Sequence, residues 1–274
     1  MSLVLSREIG DSHGVANAMS NLGSVLTLLG DLSAAEKTYS DALSLYNETG
    51  DKSGRAYAIF GLGDIFEKKG DLVKARQELM EVLSLRKTMG ERATVAESQM
   101  ALAELSIEEG HPADAQGPLR EALEVFRQQQ LGDNEVSARV LLARALVSLG
   151  NRAEAEKEVD LAAELAVKSQ NRAAHLDFSI AAAGIRAASE QSADLADAVR
   201  TLNVAFAEAT KYGYAGYQFE ACLSLGKLEV KSGTPSSRAA GRERLEVLQR
   251  DAARKGFLLI AREAAAALGK QSKN

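Results

Sequence analysis

"GDLSAAEKTY" occupies residues 30–39, and forty residues later the chain reads "GDLVKARQEL" at 70–79. Two weaker copies keep the interval, "GHPADAQGPL" at 110–119 and "GNRAEAEKEV" at 150–159. This series of turn signals blurs further on, to Gln191-Ser192 and Ser232-Gly233. A second series falls midway between, at Gly10, Gly50, Gly90 and Gly132, then Asn171, Gly213 and Gly256. Each interval of about twenty residues suits one helix of four to five turns and a short connection, so two helices make a unit of about forty. Glycine fits the left-handed residue that closes a helix, and the Asp or Asn after it fits the N-cap of the next. Asp11, Asp31, Asp51, Asp71, Asp133 and Asn151 stand in that cap position. "TVAE" (94–97) and "NRAE" (151–154) fit the capping-box pattern.

Between the stops, apolar residues recur at helical spacing: Met19, Leu22 and Leu26, then Ala35, Tyr39, Ala42 and Leu43 in one unit, and Ile59, Leu62 and Phe66, then Ala75, Leu79, Val82 and Leu83 in the next. Gly23 and Gly63, with Ala35, Ala75, Ala115 and Ala155, fall where two antiparallel helices approach closely; a larger side chain there overpacks the contact. The composition agrees. Hydrophobic residues reach 46%, yet aromatics are 5%, there is no Trp and there are three prolines. With no β-branched run bounded by turn residues, an all-α chain is predicted.

The L-G pairs Leu22-Gly23, Leu62-Gly63 and Leu225-Gly226, the mid-unit Gly, the Ala five residues on, the Tyr or Leu four further and Ala42, Ala122 or Ala162 three beyond resemble the tetratricopeptide repeat. The forty-residue, GD-punctuated unit is similar to that of kinesin light chains, LGN-type adaptors and the sensor regions of bacterial regulators. The resemblance implies a right-handed α-solenoid of six repeats at 11–50, 51–90, 91–132, 133–171, 172–213 and 214–256. Residues 1–10 are then the tail of a truncated repeat, and 257–274 a capping helix with a polar tail. Pro118 falls inside the second helix of repeat three and is expected to delay or kink it. Leu3 and Leu5 align with Leu43 and Leu45, so the N-terminal side is expected to be an unfinished apolar edge that frays or pairs with a second copy.

Charge and motifs narrow the function. A net charge of −5 argues against a general nucleic-acid binder, although residues 214–274 carry 11 Lys and Arg against 6 Asp and Glu. That surplus is read as a solvated basic helix face. No stretch approaches the roughly 18 apolar residues of a membrane span, and a cytoplasmic location is expected. A lone Cys222 is read as a small core residue, and His13, His111 and His175 lack metal-ligand spacing. "GLGD" at 61–64 lacks the third glycine and the preceding strand of a dinucleotide fingerprint. With no catalytic or cofactor motif present, the chain reads as a non-enzyme that needs no cofactor, and a protein or peptide is the expected partner.

The resemblance places that partner in the concave groove, lined by the first helix of each repeat. Matching positions are Asn17, Ser20, Asn21, Ser24 and Thr27; Tyr57, Phe60, Asp64, Glu67 and Lys68; Glu97, Met100, Glu104, Ile107 and Glu108; and Ser137, Val140, Arg144 and Val147. About a third of these are expected to pack against adjacent helices instead. Tyr57, Phe60 and Met100 among carboxylates suit a peptide carrying basic and apolar residues. The alternative reading is a sensory or regulatory segment of a larger bacterial kinase or transcription regulator.

Overall fold

The computed structural model describes residues 11–187, 192–231 and 234–269. The described residues form thirteen helices and no strand. In chain order they are α1 (Ser12–Leu29), α2 (Leu32–Thr49), α3 (Lys52–Lys68), α4 (Leu72–Met89), α5 (Arg92–Glu108), α6 (Pro112–Gln128), α7 (Gly132–Ser148), α8 (Arg152–Ala166), α9 (Arg172–Ala187), α10 (Ser192–Tyr212), α11 (Ala215–Lys231), α12 (Pro235–Arg254) and α13 (Leu258–Ala267). Odd-numbered helices pair with the even-numbered helix that follows, and successive pairs stack.

The punctuation works as the chemistry of helix ends requires. The carboxylates of Asp11, Asp31, Asp51 and Asp71 accept from the backbone N–H groups of Gly14, Ala34, Gly54 and Lys74 at 2.9 to 3.1 Å. Each such cap stabilises its helix by about 1 kcal/mol. The preceding left-handed residues are Gly30, Gly50 and Gly70, with φ between 72° and 81°.

Four local expectations are corrected. The turn before α7 is made by Gln130, at φ 57° the only non-glycine with positive φ among the described residues, so Leu131 is the cap and Gly132 and Asp133 lie inside the helix. The forty-residue interval from Gly90 is thereby kept, without its glycine. Thr94 is not an N-cap: α5 starts from Glu91, and the Thr94 hydroxyl is bonded back to the Glu91 carbonyl and carboxylate at 3.1 and 2.9 Å. Asn151 is the N-cap of α8, but its side chain makes no capping bond, so the second box is absent too. Finally, α6 begins at Pro112 and runs through Pro118 without delay.

Close helix contacts sit where small residues allow them. Ala35, Ala75, Ala115 and Ala155 have no exposed surface. A Cβ at Gly63 would lie 3.0 and 3.1 Å from Leu79 side-chain carbons. Gly63→Leu is therefore expected to lose about 1–3 kcal/mol through overpacking, whereas Lys37→Ala on the exposed side of α2 changes stability by under about 0.5 kcal/mol. Urea midpoints of the two variants check the register; equal midpoints would contradict it.

Leu22 departs from its expected place in the core. It is 41% exposed, while its counterpart one repeat on, Leu62, is 5% exposed. Leu62 has a preceding helix pair to cover it, and among the described residues Leu22 has none. Leu3, Leu5 and the N-terminal edge they were expected to form, the turn signals at Gly10, Gln191 and Ser232-Gly233, and the polar tail lie outside the described residues.

The stack does not stay an open arc. Helix α11 reaches α1 and α13 reaches α3, joining the last pairs to the first across the concave side. Leu32, Tyr39, Ile59 and Leu79 share one apolar core with Phe257, Ile260 and Ala264. This closure decides what the concave face becomes.

Candidate functional site

Closure turns the groove into a chamber of about 440 Å³. Its wall takes residues from six successive odd-numbered helices. These are Glu67 and Lys68 of α3; Glu104, Ile107 and Glu108 of α5; Arg144 and Val147 of α7; Asp177 and Ile180 of α9; Glu220, Leu223 and Lys227 of α11; and Ile260 and Glu263 of α13. Helical spacing explains the pattern, since residues three and four apart share a face. Each helix turns one such face inward.

Six carboxylates face three cations in this lining, a formal charge of −3. Arg144 bonds Glu104 at 3.2 Å and also pairs with Glu108. Lys68 donates to Asp64 at 2.8 Å, and Lys227 to Glu263 at 2.6 Å. All three cations are thus engaged. Glu67, Asp177 and Glu220 accept no hydrogen bond from another described side chain. The chamber therefore holds more carboxyl groups than cations, beside the apolar surface of Ile107, Val147, Ile180, Leu223 and Ile260.

The low local polarity marks these groups. Burial raises the Glu67 carboxyl well above the ordinary carboxylate range, and the neighbouring Glu104 charge adds to the rise. Burial also raises Glu104, Glu108 and Asp177, with Arg144 opposing in each case. Burial works against the Arg144 and Lys68 cations, but the surrounding carboxylates outweigh it and push both up. Burial pushes Glu220 up to about 8; Lys68 opposes the rise, and the charges of Asp177 and Glu104 increase it.

Glu220 thus keeps a proton in the folded chain that the unfolded chain releases near its ordinary value of about 4.3. The resulting stability is whole below that value and is lost as pH rises through about 8. Glu220→Gln removes the titration. Allowing for solvent screening in a partly open chamber, the variant is expected to be more stable than wild type by about 2 kcal/mol at pH 9, and near parity at pH 4.5. Urea midpoints at the two pH values check this, and a pH-independent difference would contradict it.

The groove positions expected from the sequence divide into three groups. Glu67, Glu104 and Arg144 line the chamber, and Asp64 reaches it through Lys68. Asn17, Ser20, Ser24 and Tyr57 form a separate polar cluster between α1, α2 and α3. There the Tyr46 hydroxyl donates to Asn17 at 2.8 Å and lies 3.2 Å from the Ser20 hydroxyl, while Ser24 meets both Tyr39 and Tyr57 at 2.8 Å. Ser20 is buried there and is a packing residue, and Asn21 beside it is exposed. Phe60, Met100 and Glu97 belong to helix contacts: Phe60 lies under the Arg86 guanidinium at 4.7 Å, Met100 packs on the core of α5 to α9, and Glu97 accepts from Asn134 at 3.2 Å. Val140 is buried as well.

Asp177, Glu220, Lys227, Ile260 and Glu263 were not anticipated. For the α11 residues the spacing of Glu220, Leu223, Ser224 and Lys227 puts them on one helix face, but the repeat pattern there is too faint to assign that face to the groove. The basic surplus near the C-terminus is partly neutralised: Arg244 makes two bonds to Glu229 at 2.8 and 3.0 Å, and Arg254 pairs with Asp251 at 3.0 Å. Among the described residues no His, Cys, Asp and Glu cluster could hold a metal ion, and no helix is long and apolar enough to cross a membrane.

Paired helices at forty-residue intervals, with small residues at their crossings and an inner face built from the first helix of each pair, define an all-α solenoid of the tetratricopeptide class. The chain belongs to the MalT-like TPR region family, whose model matches residues 5–259. No curated protein matches it. Among solved structures it is similar to a Rap protein complexed with Competence and Sporulation Factor, at TM-score 0.68 and 16% identity over 93% of this chain and 73% of that one. It is also similar to BtubC (BKLC) from P. vanneervenii, at TM-score 0.57 and 20% identity over 78% of this chain and 89% of that one. A third likeness is a Signal Transduction ATPase with Numerous Domains from Pyrococcus horikoshii that carries a tetratricopeptide repeat sensor, at TM-score 0.52 and 14% identity over 94% of this chain and 39% of that one. At these identities the likeness is one of fold.

Proposed function

We propose that this chain is a non-catalytic binding module that takes a short peptide segment, carrying basic and apolar side chains, into the chamber. One observation supports this above the others: Glu67, Asp177 and Glu220 face the chamber without a hydrogen bond from a described side chain, in a lining with more carboxyl groups than cations and next to apolar wall. A cationic side chain or amino terminus brought against these carboxyls favours their ionised form and pairs with it, and its neighbours cover the apolar surface. A volume of about 440 Å³ falls within the ~300–1,000 Å³ usual for enclosed ligand sites, which suits a few residues of extended chain. The likeness to a larger signalling ATPase that carries a tetratricopeptide repeat sensor favours, as a second reading, service as a sensing segment within a larger regulator, with the same chamber as its input.

The test is a fluorescence titration with a labelled Leu-Arg-Leu-Lys amide and its acidic counterpart Leu-Glu-Leu-Glu. The basic peptide is expected to bind, more weakly as salt is added. Glu67→Gln with Glu220→Gln should weaken it about tenfold, roughly one charge-assisted hydrogen bond. Equal affinity for the two peptides, or an unchanged affinity in the double variant, would overturn the assignment.

A further inference from the structure

In a repeat array each unit touches only its neighbours, so contact between the first two pairs and the last ones needs residues set aside for it. This chain has them. A Cβ at Gly30 would lie 2.5 Å from the Ala215 Cβ and 3.2 Å from the Phe257 ring. At Gly70 it would lie 2.1 Å from the Arg262 guanidinium, which donates to the Gly70 carbonyl at 2.7 Å. The equivalent glycines of the next two pairs, Gly110 and Gly150, have the same left-handed backbone and nothing within 4 Å of such a Cβ. Gly30 therefore does two things: it ends a helix, and it admits the far end of the solenoid; at Gly70 the neighbour is the tip of the Arg262 side chain, held there by its bond to the Gly70 carbonyl.

The seam shares the apolar core that joins Phe257 and Ile260 to Leu32 and Ile59, but its helices meet over less of their length than those of successive pairs. Among the described residues its one hydrogen bond comes from Arg262, an exposed side chain on α13 that does not line the chamber. Charges on the two sides of the chamber both oppose and attract each other. Glu108 of α5 feels Glu263 of α13, and Glu220 of α11 feels Glu104 of α5. Lys68 of α3 attracts Glu220 more strongly than Glu104 opposes it.

We infer that this seam is a clasp: the ring opens between the α1–α3 edge and the α11–α13 edge, and a cationic ligand that touches carboxylates on both sides holds it shut. The ligand half of this inference rests on the chamber reading above. A ligand shifts such an equilibrium only by its differential affinity for the two states. A chamber whose walls come from both edges supplies that difference, because an open ring presents half the contacts at once. The coupling is reciprocal: a substitution that opens the seam weakens the ligand even if it never touches it.

Spin labels at Ser33 and Lys255, both exposed beside the seam, in a Cys222→Ala background give the distance between the edges by pulsed electron paramagnetic resonance. Expected are a short-distance population that grows when the Leu-Arg-Leu-Lys amide is added, and a shift to longer distances in Arg262→Ala. The same substitution, measured without labels, should weaken peptide binding about three- to tenfold while helicity by circular dichroism stays unchanged. Arg262→Lys, which retains a donor, should recover part of the loss. One narrow distribution unchanged by peptide and by Arg262→Ala would overturn the clasp, and if the peptide still bound, the chamber reading would stand. Failure of the wild-type chain to bind the peptide would sink the chamber reading, and the distances in Arg262→Ala would still decide whether the seam opens.

Discussion

Tyr39→Ala is expected to lose about 3–5 kcal/mol of stability, the largest effect of any single truncation in the first two repeats. Tyr39 is 4% exposed. Its ring fills the space left by two glycines on different helices: a Cβ would come within 2.9 Å of the ring from Gly23 of α1 and within 2.5 Å from Gly61 of α3. One side chain of α2 thus packs against its own partner helix and against the next pair, so its removal opens a cavity at both contacts. The ring also carries a hydroxyl bonded to Ser24 at 2.8 Å. Tyr39→Phe keeps the volume and drops only that bond, and should lose about 1 kcal/mol. Denaturant midpoints of the two variants check the difference. A Tyr39→Ala midpoint close to that of Tyr39→Phe would mean the ring does not pack between the two glycines.

The second large effect lies in the fourth pair. Arg139 of α7 bonds Glu135 on its own helix at 2.7 and 3.0 Å and Glu158 of α8 at 2.5 Å. All three side chains are nearly buried, at 11% to 13% exposure. Arg139→Ala leaves two carboxylates facing each other in a setting of low polarity, and is expected to lose about 3–5 kcal/mol. Removing the interhelical partner as well reverses part of the loss: Arg139→Leu with Glu158→Leu should be more stable than Arg139→Ala, because one buried charge is gone and apolar volume replaces it. Thermal or urea unfolding of the two variants measures this. A double variant no better than Arg139→Ala would show that the cost is lost packing around the arginine stem.

The fold was legible because the helix stops and starts are local chemistry. Asp31 caps its helix through the N–H three residues on, and nothing distant is needed to predict it. Gln130 was missed for the same reason: a glutamine carries no signal for a left-handed turn, and the chain adopts one there because the stacked pairs on either side hold the forty-residue interval. Half of the candidate site was legible. Glu67, Glu104 and Arg144 follow from helix-face spacing in the clear repeats. Asp177, Glu220 and Glu263 did not follow, because their place depends on curvature summed over six helix pairs until the last meets the first. Gly30 and Gly110 look alike in the sequence, and only that accumulated curvature gives one of them a neighbour.

If the ring's inner chamber is the binding site, its apolar wall must sense the ligand. Methyl resonances of Ile107, Val147, Ile180, Leu223 and Ile260, one from each of five chamber-lining helices, report on it most directly during titration with the Leu-Arg-Leu-Lys amide. These five are expected to shift together and saturate at one concentration, while the exposed methyls of Val73, Met80, Val167 and Val204 stay in place. Shifts confined to those exposed methyls, with the five chamber methyls unmoved at saturation, would contradict the chamber as the binding site.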